Sequence, residues 1–314
     1  MEICLPKRIY QYEILDLVGQ GKNGALCKGR DSASGSTVAV KLLHPHVSAD
    51  AEFQSRCLPQ LKAARGLSHP GIATLYDVIE HEDQVLLVSE FIDGVSLDST
   101  LQSGPMSLQD FLNIADQMAR GLDHLHTNGL IHGDIQPSNI MITSNGRVKL
   151  TDFGLPRRLA DSNLTLRGFR PGTAVYASPE EAQEEQPTNA SDLFSLGIVF
   201  YEMLGGKPPF PGESVEELLR QIFNYRPDFV LISRYHVPGE IVLLLKRLLS
   251  VKTDERCTEV SELLATLEAE HTLQRELSER DETGLKPQSV HLYLLISLLA
   301  VLMVLMWSII AEYR

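Results

Sequence analysis

The stretch His132-Gly133-Asp134-Ile135-Gln136-Pro137-Ser138-Asn139 places an aspartate five residues before an asparagine, and an apolar run follows. A second acidic turn, Thr151-Asp152-Phe153-Gly154, comes after the short strand-like run Val148-Lys149-Leu150. Asp, Asn and Gly are common turn residues, so either stretch alone would indicate only a turn. Together they supply a carboxylate that can accept a hydroxyl proton and two further oxygen ligands for Mg²⁺, which phosphoryl transfer requires.

The composition indicates a globular, acidic protein of moderate size. With 314 residues, the chain is long enough for two lobes with separate cores and a tail. Its net charge of −13 disfavours nucleic acid as the main partner, because neutralising phosphates requires clustered Lys and Arg. The four cysteines are scattered and have no metal-ligand spacing. We therefore expect a reducing, cytosolic environment for the folded part.

Residues 292–311 form an apolar run without a charged residue. At about 1.5 Å per residue, a helix of this length spans the roughly 30 Å hydrocarbon core of a bilayer. Tyr293 and Trp307 lie near its two ends, where amphipathic rings prefer the membrane interface. We expect a single-pass, C-terminal membrane anchor, joined by a polar linker over 278–289, rather than a buried core helix. Basic residues before the run predict a cytoplasmic N-terminal part: Arg275, Arg280 and Lys286.

A glycine-rich stretch near the start of the chain predicts a phosphate-binding turn. Gly19-Gln20-Gly21-Lys22-Asn23-Gly24 lies between two strand-like runs, and three glycines let backbone N–H groups approach phosphate oxygens. A dinucleotide site would need a helix after the turn, whereas a second turn, Asp31–Gly35, follows here. The later run Val-Ala-Val-Lys ends on Lys41, which we expect to contact the α- and β-phosphates.

The remaining pattern predicts a β-rich half followed by a helical half. Residues 48–66 are predicted to be helical, and strands are predicted over 72–80 and 84–91. Glu90–Gly94 is interpreted as a hinge. A helix with Ser107 as its N-cap is predicted from the 3.6-residue spacing of apolar residues: Leu108, Phe111, Leu112, Ala115, Met118, Leu122 and Leu125.

These motifs, in this order, resemble the bacterial eukaryotic-type (Hanks-type) serine/threonine protein kinase family over roughly residues 10–270. The resemblance implies an α+β, bilobal protein-kinase-like fold. A small β-rich N-lobe would cover about 10–89 and a larger helical C-lobe about 95–270, with one C-terminal transmembrane helix following. The implied activity is ATP- and Mg²⁺-dependent transfer of the γ-phosphoryl group to protein hydroxyls.

The resemblance also assigns roles to individual residues. Asp134 would be the catalytic base, Asn139 and Asp152 the Mg²⁺ ligands, and Lys41 an ATP contact. Further ATP contacts would come from the glycine-rich loop, its return strand and the hinge: Gly19, Gln20, Gly21, Lys22, Asn23, Gly24, Ala25, Leu26, Cys27, Glu90 and Ile92. Structural or regulatory roles would fall to Ser89 as a small gatekeeper, Thr173, Glu180 paired with Arg256, and the helix aspartate Asp192.

Three positions depart from the family pattern. The helix glutamate that pairs with the lysine corresponds to Gln60, and the preceding Pro59 is expected to kink or break that helix. Glu52 could replace the glutamate only if the helix were shifted. The arginine that binds a phosphorylated activation-loop residue is Gly133. The lysine that neutralises the γ-phosphate is Gln136, and such a loss can cost on the order of 10²–10³ in rate.

These departures leave a nucleotide-binding pseudokinase scaffold, with weak or no phosphotransfer, as the main alternative to an active kinase. Kinases resembling aminoglycoside phosphotransferases use H-G-D-x-x-x-x-N and are active, so Gly133 and Gln136 do not establish inactivity. A small-molecule kinase is disfavoured by Gly172–Glu180, Asp192 and Pro208-Pro209-Phe210, which resemble the peptide-docking side of a protein kinase. We expect protein substrates and the membrane as partners, and no nucleic acid; a homodimer remains one alternative.

Overall fold

The computed structural model of the chain describes residues 7–21, 23–81, 84–155, 174–212, 214–224, 226–233, 237–257 and 259–283. The expected membrane span, 292–311, lies outside these residues, as do Lys22, Thr173 and residues 284–289 of the predicted linker. Within the described residues, no helix is both long enough and apolar enough to cross a membrane. The chain divides into two units, residues 1–271 and 272–314.

An antiparallel sheet of six strands forms the first half of the larger unit. Its strands are β1 (Arg8–Ile9), β2 (Tyr12–Gln20), β3 (Gly24–Asp31), β4 (Thr37–Leu43), β5 (Leu75–His81) and β6 (Gln84–Glu90). They lie in the order β1-β2-β3-β4-β6-β5. Because β2 and β3 pair as a hairpin, the predicted strand–turn–strand arrangement of the glycine-rich stretch is confirmed.

The two faces of this sheet carry different side chains because residues alternate along each strand. Lys41 on β4 is paired with Leu26 on β3 and with Leu87 on β6. The next residues along these strands belong to a separate apolar cluster on the opposite face: Cys27, Val38, Val40, Leu86 and Val88, with Ile9 and Tyr12. The face that carries Lys41 is therefore the one on which a site can form.

The helical segment between β4 and β5 is interrupted, as the proline in its sequence predicted. It consists of α1 (Pro45–Ser48), a π-helical turn (Phe53–Cys57) and α2 (Leu58–Ala63). Pro59 has no N–H, and its ring would collide with the carbonyl four residues earlier in an α-helix. The wider π turn directly before it, in which Leu58 N–H bonds the Phe53 carbonyl, accommodates this change without ending the helical segment.

Helices dominate the second half of the chain. They are α3 (Leu97–Leu101), α4 (Leu108–Thr127), α5 (Pro179–Ala182), α6 (Asn189–Gly205), α7 (Val215–Asn224), α8 (Phe229–Ser233), α9 (Gly239–Leu248) and α10 (Val260–Thr283). The predicted N-cap of α4 is confirmed, since the Ser107 hydroxyl accepts from Asp110 N–H at 3.1 Å. Its predicted apolar face is buried at Phe111, Leu112, Ala115, Met118, Leu122 and Leu125.

The first part of the predicted linker is helical. Helix α10 continues to Thr283 and so includes residues 278–283. Two glutamates and an arginine in this stretch are good helix formers, which explains why the helix extends.

A small antiparallel sheet brings the two acidic loops together. Its strands are β7 (Gly94–Ser96), β8 (Ile140–Thr143) and β9 (Val148–Leu150), and Ile140 pairs with Leu150. Asn139 immediately precedes β8 and Thr151 immediately follows β9, so these two residues must be neighbours. The Thr151 N–H accordingly donates to the Asn139 carbonyl at 2.9 Å.

The predicted pair between Glu180 and Arg256 is present. Arg256 Nη1 lies 2.9 Å from Glu180 Oε1, and the arginine side chain is 0% exposed. Its other donors bind backbone carbonyls of Ser250, Ala190 and Val251. Burial lowers the pKa of Arg256 below its ordinary value, although the neighbouring carboxylate of Glu180 opposes this shift. The pair ties the start of α5 to the chain that precedes α10.

Replacing Arg256 with methionine should lower the free energy of unfolding by about 3–5 kcal/mol, because the Glu180 carboxylate would be left with its buried partner removed. Urea denaturation followed by circular dichroism measures this change. Arg120 is a matched control, because its guanidinium also bonds carboxylates, those of Asp116 and Glu268, but is 46% exposed. Arg120→Met should cost less than about 1 kcal/mol. Equal losses in the two variants would contradict the prediction.

Candidate active site

The catalytic-loop stretch folds so that Asp134 and Asn139 contact each other. A short 3₁₀ turn, Pro137–Asn139, closes the loop before β8. Asn139 Nδ2 donates to the Asp134 backbone carbonyl at 2.8 Å and to its Oδ2 at 3.0 Å. Asp134 is 1% exposed and Asn139 is 7% exposed. The amide therefore orients the carboxylate that we predicted as the base.

Asp192, predicted as a structural residue, anchors this loop from the first turn of α6. Its Oδ2 accepts from the His132 N–H at 2.8 Å and lies 2.8 Å from His126 Nε2, while Oδ1 accepts from the Gly133 N–H at 2.9 Å. Gly133 has a φ of 74°, which is in the left-handed region that glycine adopts most readily. Glycine therefore occupies the position of the family's arginine without straining the backbone of the loop.

The second acidic turn is bonded to the first loop at both ends. Thr151 N–H donates to the Asn139 carbonyl and Gly154 N–H to the His132 carbonyl, each at 2.9 Å. Between them, Asp152 has a φ of 61°, which is uncommon for a residue other than glycine. These bonds hold Asp152 in that conformation beside Asn139. The structure therefore brings the three predicted oxygen-bearing residues into one site.

Lys41 contacts Asp152, not Gln60, the residue predicted to correspond to the family's helix glutamate. Its Nζ lies 2.6 Å from Asp152 Oδ2, and the lysine side chain is 13% exposed. The residue of α2 that lines the same cavity as Lys41 is Leu61, whereas Gln60 lines a different cavity together with Glu52. Gln60 therefore does not line the cavity of Lys41, and its correspondence to the family's glutamate stays a prediction.

Hydrophobic burial explains which residue of α2 faces the lysine. Leu61 is 2% exposed and packs in the main core with Phe153, Leu75 and Leu87. Burying a leucine side chain stabilises a fold by about 1.5–3 kcal/mol, which the polar amide of Gln60 could not match at that position. Glu52 does not replace the missing glutamate, since its carboxylate lies 3.2 Å from Arg56 Nη2.

A cleft cavity beside Lys41 has mostly apolar walls. Ser89, predicted as the gatekeeper, lines it together with Leu26, and Asp152 supplies its negative charge. Sequence reasoning missed the other lining residues, which are Leu61, Ala73, Leu75, Leu87 and Phe153. The period-two alternation of β6 could have identified Leu87, because it is two residues from Ser89 on the same strand.

The prediction that Ala25 and Cys27 contact nucleotide is wrong for their side chains, which lie on the other face of the sheet. Cys27 is 0% exposed within the apolar cluster on the other face of the sheet, and burial raises the pKa of its thiol. Ala25 lines a cavity with Leu42 and Leu86, away from Lys41. Only Leu26, the residue between them, lies on the cleft side.

The glycine-rich loop is closed by a bond between the Gly21 N–H and the Gly24 carbonyl at 2.8 Å. At Gly24 a side chain is impossible without rearrangement, because an added Cβ would lie 1.9 Å from the Leu42 carbonyl oxygen. Asn23 is only 2% exposed. The loop therefore lies directly against the end of β4, the strand that carries Lys41.

The predicted hinge is connected to the strand that leads to Asp152. Glu90 Oε2 accepts from Lys149 Nζ at 2.8 Å and from Thr74 N–H at 3.3 Å. Lys149 also donates to the Ile72 carbonyl at 3.1 Å. Sequence reasoning missed Lys149, since a lysine in a three-residue strand gives no sign of a distant partner. Adenine binding by the backbone of Glu90 and Ile92 stays a prediction.

The donor set fits a hard divalent cation. Asp152 offers a carboxylate and Asn139 an amide oxygen, and Mg²⁺ prefers oxygen ligands from one or two protein groups together with substrate phosphates. In the described part of the chain, no group of three or more His, Cys, Asp or Glu could hold a metal ion.

Comparisons with known proteins show what the chain is similar to. A serine/threonine-protein kinase of Corynebacterium efficiens, named drp72, is 40% identical over 209 residues, which cover 65% of this chain and 40% of that protein. A probable serine/threonine-protein kinase of Lactococcus lactis, PknB, is 29% identical over 89% of this chain and 46% of its own length. The chain thus spans less than half the length of these curated relatives.

A solved structure, that of Rad53 residues 1–466 with AMP-PNP, aligns with a TM-score of 0.67 at 26% identity over 81% of this chain and 64% of its own. The family model described as the protein kinase domain matches residues 12–273, which is most of the sequence. The chain therefore belongs to the protein kinase domain family.

Proposed function

We propose that the chain is an ATP- and Mg²⁺-dependent serine/threonine protein kinase that phosphorylates protein hydroxyls. The observation that carries this proposal is the convergence of two contacting pairs that adjoining loops bring together. Asn139 Nδ2 lies 3.0 Å from Asp134 Oδ2, and Lys41 Nζ lies 2.6 Å from Asp152 Oδ2. The names of its relatives, which are serine/threonine-protein kinases, support the substrate class. The AMP-PNP held by the similar Rad53 structure supports nucleotide as the donor.

In this mechanism each residue has a separate task. Asp134 accepts the proton of the attacking hydroxyl, and the hydrogen bond from Asn139 keeps its carboxylate oriented. Asn139 and Asp152 would hold Mg²⁺, which neutralises phosphate charge when bound. Lys41 donates to phosphate oxygens, and the glycine-rich loop excludes water and offers backbone N–H groups.

A pseudokinase is the second candidate, and two observations favour it. The residue of α2 that lines the cavity with Lys41 is Leu61 rather than a carboxylate, and the lysine is instead paired with Asp152, the proposed metal ligand. Gln136 beside the base is neutral and only 6% exposed. A pseudokinase would be stabilised by ATP but would not transfer phosphate.

Asp134→Asn in the full chain should lower phosphotransfer from labelled ATP by about 10²–10⁴-fold, because the amide cannot accept the hydroxyl proton. Phosphate incorporation into a general substrate protein measures this loss. Nucleotide-induced stabilisation against heat should persist in the variant, which shows that the site is still formed. Equal incorporation by the variant and the wild-type protein would contradict the proposed kinase.

Gln136→Lys should raise phosphotransfer by on the order of 10²-fold, because it places a cation near the transferring phosphate. Gln109→Lys, on the exposed start of α4, adds the same charge elsewhere and should leave the rate unchanged. An inactive wild-type protein made active by Gln136→Lys would favour the pseudokinase. A rate that stays the same or falls would show that a missing charge at Gln136 does not limit activity.

We also propose that residues 292–311 tether the protein to a membrane with the kinase domain in the cytoplasm. The support is the uncharged apolar run and the basic residues before it. A variant that lacks residues 290–314 should move from the membrane fraction to the soluble fraction in flotation experiments. If the two forms distribute equally, the tether is contradicted.

A further inference from the structure

The glycine-rich loop is held in place by a residue outside it. His44, which directly follows β4, donates its backbone N–H to the Asn23 carbonyl at 2.9 Å. Its ring Nε2 lies 3.2 Å from the Gly21 carbonyl oxygen. A carbonyl can only accept, so Nε2 must carry the proton in this contact. One histidine thus binds two carbonyls of the loop.

His44 and Lys41 lie within the same short stretch of chain. Lys41 is the fifth residue of β4, and His44 follows the last residue of that strand. Gly24, at the end of the loop, is paired with Leu43 and packs against the Leu42 backbone. Only two strand residues, Leu42 and Leu43, therefore separate Lys41 from His44.

The observed loop position has a cost that the His44 bonds can offset. Asn23 is 2% exposed, and its side-chain Oδ1 has no hydrogen-bond donor among the described residues. A buried acceptor without a donor is unfavourable, so other hydrogen bonds must compensate for it if the loop is to keep this position. The ring of His44 also stacks on that of His46, with centroids 5.4 Å apart and planes 16° apart, which restricts its orientation.

We infer that His44 is a positioning residue for nucleotide binding, whose ring holds the glycine-rich loop at a fixed distance from Lys41. Loop and lysine then present their phosphate donors as one preorganised unit, so less ordering is required when nucleotide binds. This inference rests on the proposed function, because it assumes that the cleft binds ATP. It concerns the imidazole alone, since the backbone N–H of His44 remains in every variant described below.

The test is the dissociation constant of a fluorescent ATP analogue, trinitrophenyl-ATP, for the full chain in the presence of Mg²⁺. His44→Ala removes the ring donor and should raise this constant by about two- to tenfold, the range expected for loss of one hydrogen bond. His44→Gln keeps an N–H donor at similar reach and should restore the constant to within about twofold of wild type. In turnover, His44→Ala should raise KM for ATP and leave kcat unchanged.

His81→Ala is the matched control, because it removes an exposed imidazole from the same sheet, one that contacts the ring of Tyr10. Its nucleotide affinity and unfolding temperature should equal those of the wild-type protein, and the unfolding temperature of His44→Ala should match them. An unchanged or tighter dissociation constant in His44→Ala would overturn the inference, as would a His44→Gln variant as weak as His44→Ala. Failure of the wild-type protein to bind the analogue would overturn the proposed function and this inference with it.

Discussion

The active-site geometry depends on one buried carboxylate. Asp192 is 2% exposed at the first turn of the buried helix α6. Burying a charge is costly unless it is hydrogen-bonded, and the two backbone donors of the catalytic loop together with His126 meet that requirement. The N-terminus of α6 further favours a negative charge there. Because the loop supplies donors that Asp192 needs, the helix and the loop fix each other, and Asp134 and Asn139 follow from that arrangement.

Hydrogen bonds to the catalytic loop hold the second acidic turn, Thr151–Gly154, in position. Its hydrogen bonds at Thr151 and Gly154 both end on the catalytic loop, and they flank Asp152, whose backbone conformation is uncommon for a residue other than glycine. Asp152 then has two tasks, as the contact of Lys41 in this structure and as the proposed metal ligand. Because α2 presents Leu61 to the cleft rather than a carboxylate, Lys41 and a metal ion would compete for Asp152. The cation and the nucleotide phosphates would have to replace the lysine–aspartate contact together.

The sequence predicted the parts of the site that lie within short motifs. Asp134 and Asn139 share one turn, Asp152 follows a strand, and Glu180 was correctly paired with Arg256, because family spacing constrains these positions. Cys27 was misplaced because a consecutive run of residues was assigned to one face, although alternation along a strand sends neighbours to opposite faces. Sequence spacing placed Gln60 at the family's glutamate position, but it could not show that the packing of Leu61 decides which side chain of α2 faces the cleft. The contacts of Lys149 and His44 join residues distant in sequence, and no local pattern predicts them.

The remaining question about catalytic power is electrostatic. Of the residues that line the cleft cavity, Lys41 carries positive charge and Asp152 negative charge, and the two are in contact. Gly133 and Gln136 add no positive charge near Asp134, so a bound triphosphate would be neutralised mainly by Lys41, the metal and backbone dipoles. Dipoles contribute only when they are already oriented toward the developing charge. The backbone N–H groups of the glycine-rich loop are such dipoles. A site with few cations therefore depends more heavily on the position of this loop than a site with a lysine in place of Gln136.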